Sequence, residues 1–97
     1  MRNGVLKGLK GKALLITARG DIRFIRPKKG KIFSLRILQH SVGGNIEFIP
    51  NRYYPDFHII ANEEGLIRGL EFNYLCSELL NLDLVGNVIV VPKEMIE

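Results

Sequence analysis

Few side chains in this sequence are of the types that catalyse reactions or bind metal ions. The 97 residues include one cysteine, Cys76, and two histidines, His40 and His58, which lie far apart in the chain. A structural zinc site takes about four such ligands and a disulfide takes two cysteines, so the sequence indicates neither. Glu63 and Glu64 form the one adjacent pair of acids, and in a turn we expect both to be solvated. We therefore predict no catalytic residue, no metal site and no cofactor site, and we favour a protein without catalysis of its own.

Local sequence gives the histidines and the cysteine ordinary structural roles. His40 falls near the end of a predicted helix, where a protonated imidazole interacts favourably with the helix dipole. His58 lies on the opposite strand face from Phe57 and Ile59, which predicts a solvent-facing side chain. Cys76 stands among leucines at helical spacing, and this pattern predicts burial in place of reactivity.

Two glycine-containing segments look like joints between helices and strands. A phosphate-binding loop precedes a helix, whereas Gly43-Gly44 follows a predicted helix, so its amides gain no helix N-terminus. A similar segment recurs at Val85-Gly86-Asn87-Val88. Two explanations are open: the same turn chemistry is used twice, or a helix-strand unit is duplicated with pseudo-twofold placement in the sheet.

Charge is divided unevenly between the two halves of the chain, which carries a net charge of +4. Residues 1–36 hold eleven Lys or Arg and one acid, a balance of +10, whereas residues 37–97 hold three basic and nine acidic residues, a balance of −6. Such a split is typical of a basic patch for nucleic acid or an acidic partner. It also fits two halves that attract each other or self-associate head to tail. The candidate nucleic-acid contacts are Arg19, Arg23, Arg26, Lys28, Lys29 and Lys31.

The basic half begins with a predicted hairpin. Residues 13–18 and 22–26 have the apolar and β-branched composition of strands, and Gly20-Asp21 between them is a hairpin signal because glycine accepts positive φ. Pairing the two strands places four side chains toward the core and leaves the arginines facing solvent. The predicted core positions are Leu14, Ile16, Ile22 and Phe24.

Two short helices are predicted from capping residues and apolar spacing. Ser34 is typical of an N-cap before residues 35–42, where Leu35, Leu38 and Val42 would form the buried stripe. Asn73 is the corresponding cap before residues 74–80. The remaining strands are predicted at residues 45–49, 57–61 and 88–91, the last apolar on both faces as an interior strand is.

The elements combine into a small α+β fold. We expect a mostly antiparallel sheet of about five strands with two short helices on one face, in the chain order β-β-α-β-β-α-β. Residues 1–12 would be a flexible basic N-terminal arm, and residues 13–97 a single domain. No apolar run approaches the roughly 18 residues that span a membrane, and the lone cysteine suits a reducing compartment. We therefore expect a cytoplasmic protein without a membrane partner.

A set of markers in the right order links residues 30–91 to a known family. They are Phe33-Ser34-Leu35, Leu38-Gln39, Val42-Gly43-Gly44, Ile46-Glu47, Asn62-Glu63-Glu64-Gly65, Gly69-Leu70, Asn73 and Val85-Gly86-Asn87-Val88. This stretch resembles the domain-of-unknown-function family numbered 3846, common in bacteriophages and their bacterial hosts. The resemblance implies a small α+β protein from a phage, prophage or similar mobile element, without an established activity.

Three hypotheses about function follow from these patterns. The first is a phage or mobile-element accessory protein that binds a host or phage protein or another macromolecule, without catalysis. The second is a nucleic-acid-binding module that uses the basic hairpin. The third is a small-molecule binder or enzyme whose site forms between the subunits of a homo-oligomer. A loop with arginine and tyrosine side chains, Arg52, Tyr53 and Tyr54, is the candidate protein interface, although loop tyrosines also commonly cover small cores.

Overall fold

Five strands form one sheet in which every neighbouring pair is antiparallel. A computed structural model describes Leu6 and residues 8–96. The predicted chain order is confirmed, and the strands lie in the order β2-β1-β5-β4-β3 across the sheet. The elements are β1 (Ala13–Ile16), β2 (Ile22–Ile25), α1 (Leu35–Val42), β3 (Ile46–Phe48), β4 (Phe57–Asn62), α2 (Tyr74–Leu80), β5 (Val88–Pro92) and a final 3-10 turn (Lys93–Met95).

The two helices cover opposite faces of the sheet, so the expectation that they share one face is wrong. Leu80 of α2 packs in a cluster with Leu14, whereas Leu38 and Val42 of α1 pack with the next residue of β1, Leu15. Successive side chains of a strand point to opposite faces. Because the central strands are apolar on both faces, each face needs its own helix, and a three-layer arrangement results.

The first hairpin forms as predicted, but its second strand faces solvent. The Thr17 amide donates to the Asp21 carbonyl at 2.9 Å, and Gly20 takes a φ of 99°. Ile22 and Phe24 were expected in the core, yet they are 45% and 56% exposed. Their partners in β1 belong to the cluster under α2, but β2 is an edge strand and the cluster does not extend over it.

Both predicted N-caps, Ser34 and Asn73, are confirmed. The Ser34 hydroxyl accepts from the Ile37 amide at 3.2 Å, and Gly43 closes α1 with a φ of 80°. Leu35, predicted within the buried stripe, is 56% exposed because it lies at the first helical position, outside the cluster that contains Leu38.

Asn73 joins three elements inside the protein. Its amide nitrogen donates to the carbonyls of Ile16 at 2.9 Å and Gly86 at 2.8 Å, and its side-chain oxygen accepts from the Cys76 amide at 2.8 Å. The side chain is fully buried and uses both of its donors. The end of β1, the joint before β5 and the first turn of α2 are therefore held by one residue.

Two further asparagines fasten the helix-to-strand joints. The side-chain amide of Asn62 donates to the Val42 carbonyl at 3.1 Å, at the end of α1. Asn87 donates to the Ser41 carbonyl and accepts from the Ala18 amide, both at 3.1 Å. The end of α1, the first hairpin turn and the joint before β5 therefore lie together at one end of the sheet.

The described part of the N-terminal segment is packed against the core. Leu6 and Leu9 are 4% and 5% exposed and belong to the cluster under α2. The remainder of the predicted flexible arm, residues 1–5 and Lys7, lies outside the described residues. The interval of three between the two leucines is the helical spacing that could have indicated this contact.

The recurring glycine joints use the same backbone geometry. Gly43 and Gly86 have φ values of 80° and 75°, the left-handed conformation that glycine adopts without strain. The strands that follow, β3 and β5, flank β4 and run in the same direction, and their preceding helices lie on opposite faces. A twofold axis along β4 would exchange the two units. The topology is therefore compatible with a duplicated helix-strand unit and also with repeated use of the same turn.

We predict that Asn73→Ala destabilises the fold by about 2–4 kcal/mol, because it leaves two buried carbonyls and one amide without their partners. Urea unfolding of the purified variant measures the change. The matched control is Asn45→Ala. The exposed Asn45 side chain accepts one hydrogen bond, from the side-chain amide of Gln39 at 3.3 Å, so this substitution should cost less than about 0.5 kcal/mol. Equal effects of the two substitutions would contradict the role assigned to Asn73.

Candidate nucleic-acid interface

The predicted nucleic-acid contacts belong to the hairpin at one outer edge of the sheet and to the loop that leaves it. Arg19 is in the hairpin turn and Arg23 is in the edge strand β2, and the other four follow β2 in the chain. All six side chains are exposed. Arg23 forms an ion pair with Asp21 at 3.8 Å in which both side chains are more than half exposed, so water screens it strongly. This basic edge comprises Arg19, Arg23, Arg26, Lys28, Lys29 and Lys31.

An aromatic side chain lies within the basic edge. Phe24 is 56% exposed, and the Lys12 ammonium lies 4.3 Å from the centre of its ring. Ile22, two residues away on the same strand face, is 45% exposed. The edge therefore combines positive charge with an apolar surface that presents a ring to solvent, which is the combination found where proteins bind single-stranded nucleic acid.

The candidate protein interface is divided by burial. Arg52 is exposed and Tyr53 is 71% exposed, whereas Tyr54 is 4% exposed and its hydroxyl donates to the Leu80 carbonyl at 3.0 Å. Tyr54 thus belongs to the core, and Arg52 and Tyr53 provide the accessible surface. Tyr53 lines a cavity of about 490 Å³ together with Lys10, so the structure brings this loop next to the basic N-terminal segment.

The two histidines have different environments. His58, expected to face solvent, is half-buried, with its ring 4.9 Å from that of Phe48. Loss of hydration lowers the pKa of His58, and the positive charge of Lys93 lowers it further. His40 is exposed and lines a cavity of about 390 Å³ with Arg19 and Glu71, at the end of the sheet where the joints meet.

Cys76 is fully buried under α2, as its spacing predicted. Loss of hydration, together with the smaller effect of the negative charge of Asp83, raises the pKa of the Cys76 thiol from 9.0 to about 12. The thiol therefore stays protonated at neutral pH, and a protonated thiol is a weak nucleophile.

Within residue 6 and residues 8–96, no group of three or more His, Cys, Asp or Glu side chains is arranged to hold a metal ion. None of the helices in the same part of the chain is long and apolar enough to cross a membrane.

Residues 11–95 match the model of the family described as Domain of unknown function (DUF3846). The chain belongs to the DUF3846 family. The resemblance seen in the sequence is thereby confirmed for the family, and the match extends it to include the basic hairpin. Comparison with curated proteins and with solved structures gives no match.

Several DUF3846 markers quoted from the sequence lie at the helix-to-strand connections, where asparagine side chains bond to the backbone. Asn62, Asn73 and Asn87 each bond to backbone groups there, and Gly44 has room for no side chain, because a Cβ would lie 2.9 Å from the Asn62 amide nitrogen. These markers therefore have structural roles. The exposed side chains of the basic edge lie apart from the joints, except for Arg19.

We predict that Cys76 resists alkylation by iodoacetamide in the folded protein at pH 9.0, whereas the urea-unfolded chain, with an ordinary thiol pKa of 9.0, reacts readily. Mass spectrometry after timed labelling measures the difference. Rapid labelling of the folded protein would contradict the assigned burial.

Because the pKa of the Cys76 thiol is higher in the folded state than in the unfolded state, the thiol's contribution to stability is complete below pH 9.0 and is lost as the pH rises toward 12. The stability of wild type should therefore fall more steeply above pH 9.0 than that of Cys76→Ala.

Proposed function

We propose that this protein acts by binding a macromolecule, without catalysis of its own, and that the macromolecule is a single-stranded nucleic acid held along the basic edge. The observation that carries the proposal is the exposed Phe24 ring, with the Lys12 ammonium 4.3 Å from its centre, on the strand that also carries Arg23. Every base has a flat aromatic face, so a ring at this position accepts bases without regard to sequence. The surrounding cations neutralise phosphates and release their counterions.

Single strands fit this surface better than a duplex does. A duplex is commonly read by a helix placed in the major groove, next to the phosphates on both sides. The exposed charged residue of α2 is the acidic Glu78, and α1 exposes Arg36 as its one arginine. The stacked bases of a duplex would also be unavailable to Phe24.

The family resemblance also implies a biological context for this binding. We place the protein in the cytoplasm as an accessory factor of a phage, prophage or other mobile element. The basic balance of the N-terminal half supports a polyanionic partner in that setting.

We predict that the protein binds a fluorescent single-stranded oligonucleotide of mixed sequence, and that Phe24→Ala weakens this binding by about 1–3 kcal/mol through loss of stacking. Fluorescence anisotropy measures the affinity. Arg26→Gln should weaken binding too, and it should reduce the slope of log affinity against log salt by about 0.7, the contribution of one phosphate contact.

Matched controls come from the loop between β3 and β4, which is outside the basic edge. Tyr53→Ala removes another exposed aromatic ring, and Arg52→Gln removes another exposed arginine, so both should leave the affinity and the salt slope unchanged. Absence of binding by wild type at low salt would reject the proposal. Equal losses from Phe24→Ala and Tyr53→Ala would reject the placement of the site.

A second candidate function is docking of a host or phage protein at Arg52 and Tyr53. Its support is the 71% exposure of the Tyr53 ring beside an arginine and a cavity of about 490 Å³. Arginine and aromatic residues are enriched in the centres of protein interfaces.

We predict that a photo-crosslinking residue at Tyr53 captures one defined protein in the native host, whereas the same residue at Glu78, exposed on α2, does not. Capture should be lost with Arg52→Glu, because reversal of a charge at an interface weakens the complex. Identical crosslinking patterns at the two positions would remove this candidate.

A further inference from the structure

The opposite edge of the sheet carries two aliphatic side chains that extend into solvent. Leu66 and Ile67 are 83% and 89% exposed, in the loop that follows β4. Together with Ile49 and Leu84 they line a cavity of about 280 Å³ beside the edge strand β3. Adjacent exposed aliphatic side chains next to a cavity form a surface suited to an apolar partner group.

Backbone hydrogen bonds hold the loop that carries these two side chains. The Arg68 amide donates to the Glu64 carbonyl at 2.9 Å, and the Gly69 amide donates to the Leu66 carbonyl at 3.1 Å. Gly65 packs so closely against Val85 that a Cβ would lie 2.8 Å from its methyl group. The exposed pair is therefore presented by an ordered turn, which lowers the entropy lost on binding.

The charge around this cavity is acidic. Glu47, Glu63 and Asp83 line it with the aliphatic residues, and these three acids with β3 form the acidic edge of the sheet. Arg68, the basic residue of the same loop, donates to the Gly43 carbonyl at 3.1 Å, so its charge is directed to the end of α1. The surface thus fits a partner that combines an exposed apolar group with positive charge.

The basic edge of this same chain has that chemistry. Phe24 is exposed with the Lys12 ammonium against its ring, and it lies on the sheet face covered by α2. Glu47 and Ile49 of the acidic edge belong to this face too, since Glu47 pairs with Ala61 and Ile49 packs in the α2 cluster. Apolar and oppositely charged groups therefore match when two copies are placed side by side with the same face upward.

Strand direction is compatible with this arrangement. Each successive pair in the order β2-β1-β5-β4-β3 is antiparallel, so β2 and β3 run in the same direction. A second copy beside the first, without being turned over, brings its β2 parallel to β3, and both edges carry open backbone groups. Pairing of identical edges would instead oppose like charges.

We propose that copies of this chain associate head to tail, with Phe24 and the basic edge of one copy against the cavity between Leu66, Ile67 and the acidic β3 edge of the next. The contact is heterologous, so it leaves one free edge of each kind at the ends of the assembly. It goes beyond the proposed function but uses the same Phe24 surface. A nucleic acid and a second copy therefore compete for the basic edge.

Sedimentation velocity of the full chain at rising concentration and low salt tests this contact. Wild type should show reversible association that weakens as salt is raised. Phe24→Asp and Ile67→Asp should each weaken association by roughly tenfold or more, as loss of a central apolar anchor does. Both residues are exposed, so circular dichroism should show intact folds. The control Tyr74→Asp, at an exposed ring on α2, should associate as wild type does.

Mixing the two edge variants gives the decisive result. Phe24→Asp keeps an intact acidic edge and Ile67→Asp keeps an intact basic edge, so equal amounts should form a heterodimer that neither variant forms alone. A monomeric wild type at the highest concentration, or a mixture without heterodimer, would overturn the proposal.

Failure here is distinguishable from failure of nucleic-acid binding. Ile67→Asp should retain the oligonucleotide affinity of wild type while it loses self-association, and added oligonucleotide should dissociate the wild-type assemblies. Assemblies that persist with bound oligonucleotide would contradict a shared basic edge.

Discussion

The fold depends most on the buried amide of Asn73. One side chain bonds to the last residue of β1, the glycine joint before β5 and the first turn of α2, which are distant in sequence. Burial of an amide is unfavourable unless its groups are paired, and here the pairing requires all three backbone segments to be in place. The residue therefore selects the arrangement in which β5 enters the sheet beside β1. Asn62 and Asn87 extend this constraint to the end of α1.

Insertion of β5 at the centre decides which surfaces are available for binding. The central strands are covered on both faces by helices, so the exposed apolar side chains of the sheet are found at its edges, where Phe24 and Phe48 are 56% and 46% exposed. Edge strands also have unpaired backbone groups. Both proposed contacts are located at an edge for this reason.

Sequence patterns predicted the helix caps, which depend on nearby residues. They did not predict which strand residues are buried, because that depends on the order of strands in the sheet. Ser34, Gly43 and Asn73 cap helices through bonds to residues three or four positions away, so their roles could be inferred from the sequence. The burial of Ile22 and Phe24 could not, because their alternation is the same in an edge strand and in a central strand. The six candidate nucleic-acid contacts were chosen by charge alone. Phe24 was missed as a surface residue because its exposure follows from the position of β2 in the sheet.

The same topology determines where the opposite charges of the chain can be compensated. In the strand order β2-β1-β5-β4-β3, the basic edge and Glu47 are on opposite sides of the sheet. At physiological salt the Debye length is about 8 Å, and strands lie about 4.8 Å apart. The two edge strands are four intervals, or about 19 Å, apart, which exceeds the screening distance. The charges of the two edges therefore do not compensate each other within one molecule.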